Sequence, residues 1–246
     1  MPLNNELPVL SMTSADEIAM RTPDSLFSGQ AIVNMIESCI PNIKNAWMVP
    51  AIDVETLLIA IRIASVSETM EMSVACEACK ADSDYAVDLQ YHLSTFDASL
   101  WLQPLVIDAL SFGFRPQNYQ ELSDYNGKMF QIRKRWSQLQ YIEDADQKES
   151  LMSELITELN KLEVEYVIGC IDSISINNTQ AVNNRDHIGE FITNCEKKLY
   201  DQIHTHVVRL RDATKCNRLD LTCPECQHKF SIDFSLDYSD FFVKGS

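Results

Sequence analysis

Glycine is scarce in this chain, with six residues among 246. None of the six lies in a G-x-G-x-x-G or P-loop pattern, where glycines let the backbone approach a phosphate closely, so no nucleotide-binding loop is indicated. No apolar stretch approaches the roughly 18–20 residues that a membrane helix needs. The first residues also lack the basic start and apolar run of a secretion signal. These absences argue against cofactor-loop and membrane-spanning classes, and they predict synthesis in a reducing cytosol.

Basic residues are also few. Lys and Arg number 20 against 36 Asp and Glu, which gives a formal net charge of −16. A charge of this sign repels phosphate-rich surfaces, so we expect neither a nucleic acid nor an anionic membrane as the partner. One local basic segment, KMFQIRKRW at 128–136, stands against this background. The apolar fraction of 46% is ordinary for a globular protein and suffices for one large domain or two small ones.

Residues 1–69 have the pattern of three short helices. Ser14, with acidic residues in the turn that follows, is typical of a helix start. A second helix is predicted to start near Ser28, with apolar residues at helical spacing as far as Cys39. Asp53 is the predicted N-cap of the third helix. This segment is therefore predicted to be a small helical region.

The hydrophobic period changes at residue 70. Apolar and polar residues alternate on both sides of a C-x-x-C sequence, once in 70–88 and again in 216–237, which predicts two strand–turn–strand units. The segment LVIDALSFGF at 105–114 is also extended and is predicted to join the sheet of the first unit. We therefore predict one split β region made of 70–116 with 216–237.

The intervening residues, 117–215, are predicted to be helical. Two apolar stripes with spacings of three and four residues, one over 122–139 and one over 151–166, are typical of an antiparallel helical hairpin. The dipeptide Asn126-Gly127 leaves a turn open as an alternative inside the first stripe.

The end of the insertion is less regular. A polar break at 174–186 precedes a last helical run from Ile188 to Val207, and 238–246 is predicted to be a C-terminal tail. The predicted fold class is α+β and predominantly helical, with a small antiparallel zinc-ribbon-like sheet that carries a long helical insertion.

The two C-x-x-C segments are similar to each other. VACEACKADSDYAVDL at 74–89 and LTCPECQHKFSIDFSL at 221–236 have the same pattern, displaced by 147 positions. Each offers two thiolates on one side of a turn, and a structural Zn²⁺ needs four ligands in a tetrahedron. Four cysteine ligands leave no open position for a catalytic water. We therefore predict a structural zinc site whose ligands are Cys76, Cys79, Cys223 and Cys226.

Other interpretations of the cysteines stay open. The pairs could lie in two unrelated hairpins as buried or free thiols, since 143 residues separate Cys79 from Cys223. A redox dithiol is a third interpretation, but its chemistry favours a C-x-x-C at a helix N-terminus, and neither segment opens a convincing helix. His228 or Cys216 could replace one thiolate among the metal ligands.

Further candidates for chemistry have ordinary structural explanations. His204 and His206 are two positions apart and so lie on different faces of a helix, as surface or interface histidines. Cys39, Cys170 and Cys195 fall on apolar stripes, where a small buried thiol is common. No motif pairs a Ser or Cys nucleophile with a nearby His. The sequence thus predicts no catalytic residue and no enzyme activity.

Several short motifs within residues 10–125 resemble one family. They are an MT-x-x-x-E start, a TPDSL-x-x-G turn, a Cys that ends the next helix, an LL-x-x-x-R-x-AS helix, a C-x-x-C segment closing on Asp-Leu, and FGFRPQNYQEL. On these motifs the chain resembles the baseplate hub assembly proteins of T-even-like contractile-tailed phages. The second cysteine pair, in CPEC, is not part of the resemblance, so the four-ligand site is predicted from the residues alone.

The resemblance implies a non-enzymatic structural or assembly protein of the phage tail baseplate. Its implied partners are other baseplate or tail proteins in a multimeric assembly, met in the host cytoplasm during assembly and then in the baseplate of the virion tail. The residues leave two alternatives. One is a zinc ribbon that binds nucleic acid, although the flanks KADSD and SIDFSLDYSD are acidic. The other is a dithiol oxidoreductase.

Overall fold

The structure, a computed structural model, describes residues 6–20, 29–177, 180–214 and 219–232. The chain divides into two compact units. The first unit comprises 1–97 together with 214–246, and the second comprises 98–213. The predicted fold class is confirmed, because the described residues are mainly helical with small antiparallel sheets. The domain boundaries predicted from the sequence stay a prediction.

Eight α-helices lie in the described residues, together with three short 3-10 turns at Ala46–Met48, Ser99–Leu102 and Leu139–Tyr141. The helices are α1 (Ser14–Met20), α2 (Gln30–Cys39), α3 (Ala51–Ser65), α4 (Leu89–Thr95), α5 (Tyr119–Gln138), α6 (Ala145–Cys170), α7 (Arg185–Asn194) and α8 (Lys197–Ala213).

The described strands form three antiparallel sheets, ordered β1-β2, β3-β4-β5 and β6-β7. The strands are β1 (Thr69–Ala75), β2 (Asp82–Asp88), β3 (Leu105–Ile107), β4 (Leu110–Phe114), β5 (Ile171–Ile176), β6 (Leu219–Thr222) and β7 (Lys229–Ile232).

In the first unit, α2 and α3 carry most of the buried apolar residues. Ile36 of α2 and Leu58 of α3 are fully buried. The segment before α1 is tied to both helices, since the Leu10 amide donates to the Cys39 carbonyl and the Ser11 hydroxyl donates to the Ala64 carbonyl. The three helices predicted for this region are present, with a small core of their own.

The predicted start of α3 is wrong by two residues. The helix begins at Ala51, directly after Pro50, and the Asp53 amide donates to the Pro50 carbonyl. Asp53 therefore lies in the first turn instead of at the N-cap. An acidic residue in the first turn still stabilises the helix through the macrodipole. Asp53 therefore indicates that a helix begins nearby, but not at which residue.

In the second unit, α5 and α6 form the predicted helical hairpin. The helix α5 continues through Gly127, so no turn interrupts it. The Asn118 side chain caps α5 by accepting from the Glu121 amide, and the Glu121 carboxylate accepts in return from the Asn118 amide. The Asp144 carboxylate caps α6 by accepting from the Gln147 amide. The hairpin is closed by a buried apolar cluster of Ile132, Leu139, Leu155 and Leu162.

Ion pairs along the hairpin agree with its antiparallel register. Lys128 pairs with Glu165, and Arg135 pairs with both Glu154 and Glu158. The pairs are partly exposed, so packing of the apolar cluster contributes more to the stability of the hairpin than they do.

The prediction that 105–114 joins the sheet of the first cysteine segment is wrong. In the structure, β4 lies between β3 and β5 and pairs Ser111 with Ser175. The residues from 174 onward were expected to be an irregular polar break, but β5 extends to Ile176, and Ile174 also bridges to Val182. The pairing partner of β4 is thus about sixty residues away in the sequence.

The last helical run is two helices instead of one. Helix α7 ends at Asn194, and Cys195 has an extended backbone before α8 begins at Lys197. Apolar residues keep a helical spacing across this break, which hides it in the sequence. Across the described residues, no helix combines the length and apolarity required to cross a membrane.

Candidate metal centre

Two cysteine knuckles, Cys76–Ala81 and Cys223–His228, have the same backbone conformation. In the first, the Cys76 amide donates to the Ala81 carbonyl, and the Lys80 amide donates back to the Cys76 carbonyl, both at 2.9 Å. In the second, the Cys223 amide donates to the His228 carbonyl, and the Gln227 amide donates to the Cys223 carbonyl, both again at 2.9 Å. The sequence likeness of the two segments is therefore a likeness of structure.

A left-handed residue closes each knuckle. Lys80 has φ of 61° and Gln227 has φ of 59°. Neither is a glycine, so both positions carry backbone strain that the surrounding hydrogen bonds must offset. The turn brings the second cysteine of each pair back towards the first, which places two sulfur atoms on one side of the loop.

The four cysteine sulfurs lie within 4.8 Å of one another. Cys76 Sγ is 3.7 Å from Cys226 Sγ, and Cys79 Sγ is 3.7 Å from Cys223 Sγ. A tetrahedron of sulfurs around a metal at about 2.3 Å has edges of about 3.8 Å. The cluster thus has the size and ligand type of a four-cysteine metal site, and it draws two ligands from each knuckle.

Burial differs between the two cysteines of each pair. Cys76 and Cys223 are 1% and 0% exposed, whereas Cys79 and Cys226 are exposed. The buried sulfurs pack with Phe230, whose ring meets the Tyr85 ring edge-on at 6.5 Å between centroids. One side of the sulfur cluster is therefore covered by apolar groups, and the other faces solvent, from which a metal could enter.

Backbone amides around the cluster favour the thiolate form at one position. The amide of Cys79, assisted by that of Ala78, donates to Cys76 Sγ and lowers the pKa of Cys76 to about 6. At Cys226 the His228 amide also acts to lower the pKa, but the neighbouring thiols raise it, and the pKa is about 12. Without a metal, four close thiols cannot all ionise. A divalent cation would offset that repulsion and release the remaining protons.

The structure brings the four predicted residues together. His228 is the last residue of the second knuckle, and its ring stacks on the Phe230 ring with 6.1 Å between centroids. Only cysteines contribute to the cluster among the described residues. Cys216, the other alternative ligand, lies outside the described residues.

A redox role finds less support in the geometry. Each C-x-x-C connects two strands, and no helix begins at Cys76 or Cys223. The helix dipole that activates the thiol of a redox C-x-x-C is therefore missing at both knuckles.

The similarity to known proteins extends over almost the whole chain. The sequence profile of the family described as "T4 bacteriophage base plate protein" matches residues 10–243. The chain belongs to this family. The resemblance noted from residues 10–125 is confirmed at the family level, and the match continues through the second knuckle. No curated protein and no solved structure matches the chain.

Three further cysteines of this base plate family member lie outside the cluster among the described residues. Cys39 and Cys170 are buried, and burial raises the pKa of these thiols to about 11 and about 12. Burial also raises the pKa of Cys195, whose thiol donates to the Ile192 carbonyl. Thiols with raised pKa values are poor nucleophiles, so none of the three suits catalysis.

The two histidines of α8 differ in their surroundings. His204 lies 3.5 Å from a Glu163 carboxylate oxygen near the surface. His206 packs on Phe114, with 4.8 Å between ring centroids, and burial together with the charge of Arg209 lowers its pKa. His206 is therefore neutral at pH 7. It borders a cleft between α8 and β3 that sequence reasoning did not identify.

Proposed function

We propose that this chain is a non-enzymatic structural or assembly component of a phage base plate, which docks other base plate or tail proteins. Membership of the base plate family over residues 10–243 carries the proposal. The net charge of −16 favours protein partners over nucleic acid. On this proposal the chain meets its partners in the host cytoplasm during assembly and occupies the tail base plate of the virion.

A zinc ion held by the four cysteines is the second part of the proposal. Zinc prefers tetrahedral thiolate ligands, and the sulfur separations of 3.7 Å agree with that geometry. With four protein ligands the ion would be structural. It would join the β1-β2 hairpin to the β6-β7 hairpin and so support a split ribbon in the first unit.

The domain division forms a third part. We propose a helical region at 1–69, a split ribbon at its metal site, a helical insertion that carries the docking surfaces, and a C-terminal tail at 238–246. The two hairpins of the ribbon lie on either side of the insertion in the sequence, so the insertion can vary without changing the metal ligands.

The test of the docking role is to follow the chain through phage assembly. A tagged copy, expressed during infection, should be found by mass spectrometry in base plate intermediates or in purified tails. Its position in a cryo-electron microscopy map would identify the proteins that contact it. Absence from both intermediates and particles, when the other base plate proteins are present, would contradict the proposal.

The test of the metal is independent of infection. Protein purified under reducing conditions should contain about one zinc per chain by elemental analysis, as a single four-ligand site requires. Iron in place of zinc, or protein without metal, would contradict the zinc assignment. Neither result would affect the proposed docking role.

A further inference from the structure

A cleft of about 930 Å³ lies between α8 and the short strand β3 in the second unit. Its apolar side is formed by Leu105, Val106 and Ile107, and Val106 is 64% exposed. Its other side is one face of α8, which contributes Lys198 and Arg209 at its two ends. The cleft thus combines an apolar strand with cationic side chains.

Two of the three Lys and Arg side chains that line the cleft form no salt bridge among the described residues. Lys197 forms a salt bridge with Asp201 at 2.6 Å, so this pair contributes little net charge. Lys198 and Arg209 form no salt bridge among the described residues. In a chain with a net charge of −16, two unneutralised cations beside one cleft mark a local preference for an anionic partner.

The strand side of the cleft has an open edge. Among the described residues, β3 pairs with β4 on one side only, and it is the first strand in the sheet order β3-β4-β5. Ile107 and Leu110 flank a two-residue turn and form the hydrogen-bonded closing pair, so the next pair, Val106 and Ser111, is not hydrogen-bonded. The N–H and C=O of Val106 consequently point away from β4, towards the open edge.

One polar atom of a residue that lines the cleft is buried without a partner in the described part of the chain. The buried Nε2 of His206 makes no hydrogen bond among the described residues, and His206 lines the cleft. Gln202 lies one turn earlier on the same face of α8. The exposed Gln202 side chain can contact the backbone of a chain that lies along the strand.

We propose that this cleft binds an extended acidic segment of a partner protein, which adds to the sheet beside β3. The Val106 backbone would supply one pair of hydrogen bonds, and Lys198 and Arg209 would pair with the acidic side chains. Because β3 has only three residues, the edge alone provides too few bonds, and the cations must contribute to affinity and selectivity. The inference rests on the proposed docking function and names the chemistry of one partner.

A nucleic acid is the less favoured occupant. The apolar strand residues offer nothing to a phosphate, and the net charge of the whole chain opposes a long polyanion. A short acidic peptide can place its few charges beside Lys198 and Arg209 without extending over the acidic remainder of the chain. Its backbone can also form hydrogen bonds with the edge of β3.

The first experiment measures binding of a fluorescein-labelled peptide of alternating glutamate and valine to the full chain by fluorescence anisotropy. We expect saturable binding that weakens with salt, and no binding of the same peptide with lysine in place of glutamate. No binding of the acidic peptide, or equal binding of a labelled oligothymidylate of the same charge, would overturn the proposal.

A charge variant tests the cationic side. The double substitution Lys198→Glu with Arg209→Glu should weaken peptide binding by about tenfold or more. The matched control is Arg133→Glu with Lys134→Glu, which makes the same change in net charge at two exposed residues of α5 outside the cleft. If both variants weaken binding equally, the effect is one of overall charge and the site is not this cleft.

A backbone variant tests the strand edge. Val106→Pro removes an N–H that points outward and leaves the bonds from β3 to β4 in place, so the sheet should tolerate it. We expect this variant to lose most of the binding and Val106→Ala to keep it. Circular dichroism and amide NMR spectra would check that both variants are folded. Unchanged binding by a folded Val106→Pro protein would overturn strand addition.

The peptide-binding assay and the assembly experiment together separate this inference from the proposed function. If the wild-type chain enters base plate particles but does not bind the peptide, the cleft proposal fails and the docking function stands. If the peptide binds as described but the chain is absent from particles and intermediates, the docking function fails and the cleft remains a peptide site.

Discussion

Four sulfur atoms join the two cysteine knuckles, whereas the α5–α6 hairpin is joined along its length by apolar side chains. Around the sulfurs, the buried set consists of Cys76, Cys223 and Phe230. In the helical hairpin, four aliphatic residues are buried. Partly buried apolar side chains extend the contact in both regions. Small hairpins with so little apolar burial are marginal in water. We therefore expect the first region to depend on the proposed metal and the second on its own packing.

Removal of one sulfur should have the largest effect. Cys223→Ser is expected to abolish zinc binding, since structural zinc sites contribute apparent binding free energies on the order of 10–16 kcal/mol. Amide exchange should rise in the β1-β2 and β6-β7 hairpins and stay unchanged in the α5–α6 hairpin. Elemental analysis and hydrogen exchange with mass spectrometry measure the two effects.

The matched control for this variant is Cys195→Ser. Its thiol lies outside the cluster and donates to the Ile192 carbonyl, a bond that a serine hydroxyl can keep. Metal content should not change. Full zinc content in the Cys223→Ser protein would show that the metal is held elsewhere.

A cavity in the helical hairpin should have the next largest effect. Leu155 is 0% exposed, and Leu155→Ala is expected to cost about 2–5 kcal/mol in the free energy of unfolding of the hairpin. Zinc content should stay at the wild-type value, because the hairpin does not supply ligands. Urea denaturation followed by circular dichroism gives the free energy.

The control for the cavity is Met152→Ala, at a position that is 44% exposed on the same helix. It should change the free energy of unfolding by less than about 0.5 kcal/mol. A Leu155→Ala protein that lost zinc would break the distinction between the two regions.

The two knuckles can be compared with each other at their left-handed residues. A β-branched side chain fits poorly at positive φ, so Lys80→Val and Gln227→Val should each cost about 1–2 kcal/mol. Competition with a chelator should show zinc affinity reduced about 5- to 30-fold in both.

Lys80→Asn is the control, since asparagine adopts this conformation more readily. Its zinc affinity should stay near the wild-type value. If only one of the two valine variants lost affinity, the structural equivalence of the knuckles would not extend to their energetics.

Loss of a helix cap should have the smallest effect. Asp144→Ala removes the acceptor for the Gln147 amide and is expected to cost about 1 kcal/mol in the stability of α6. Asp144→Ser should restore most of it, because serine is also a good N-cap. Zinc content should be unaffected in both, and thermal denaturation would detect the difference.

Features encoded within a short segment could be predicted from the sequence. The knuckles are such features, because the alternation around each C-x-x-C specifies a hairpin, and the likeness of the two segments indicated a shared geometry. The helical hairpin is another, since its stripes keep a spacing of three and four over many residues. Predicting that the four sulfurs come together needed one further argument, namely that a structural metal requires four ligands.

Features that depend on distant pairing could not be predicted. β4 finds its partner β5 only after α5 and α6 have intervened, and nothing in LVIDALSFGF specifies that strand. Strand propensity depends on such tertiary context. The cleft beside β3 was missed for the same reason, because Val106 and Arg209 become neighbours only through the fold.

The separation of the two knuckles also sets an order of events during synthesis. A ribosome must complete the second unit before it makes Cys223 and Cys226, since 143 residues lie between Cys79 and Cys223. Domains generally fold as they emerge, so the α5–α6 hairpin can form while only half of the metal ligands exist. A tetrahedral ion would then be captured last. An ion held by all four cysteines would therefore be found only in chains whose translation had reached the second knuckle.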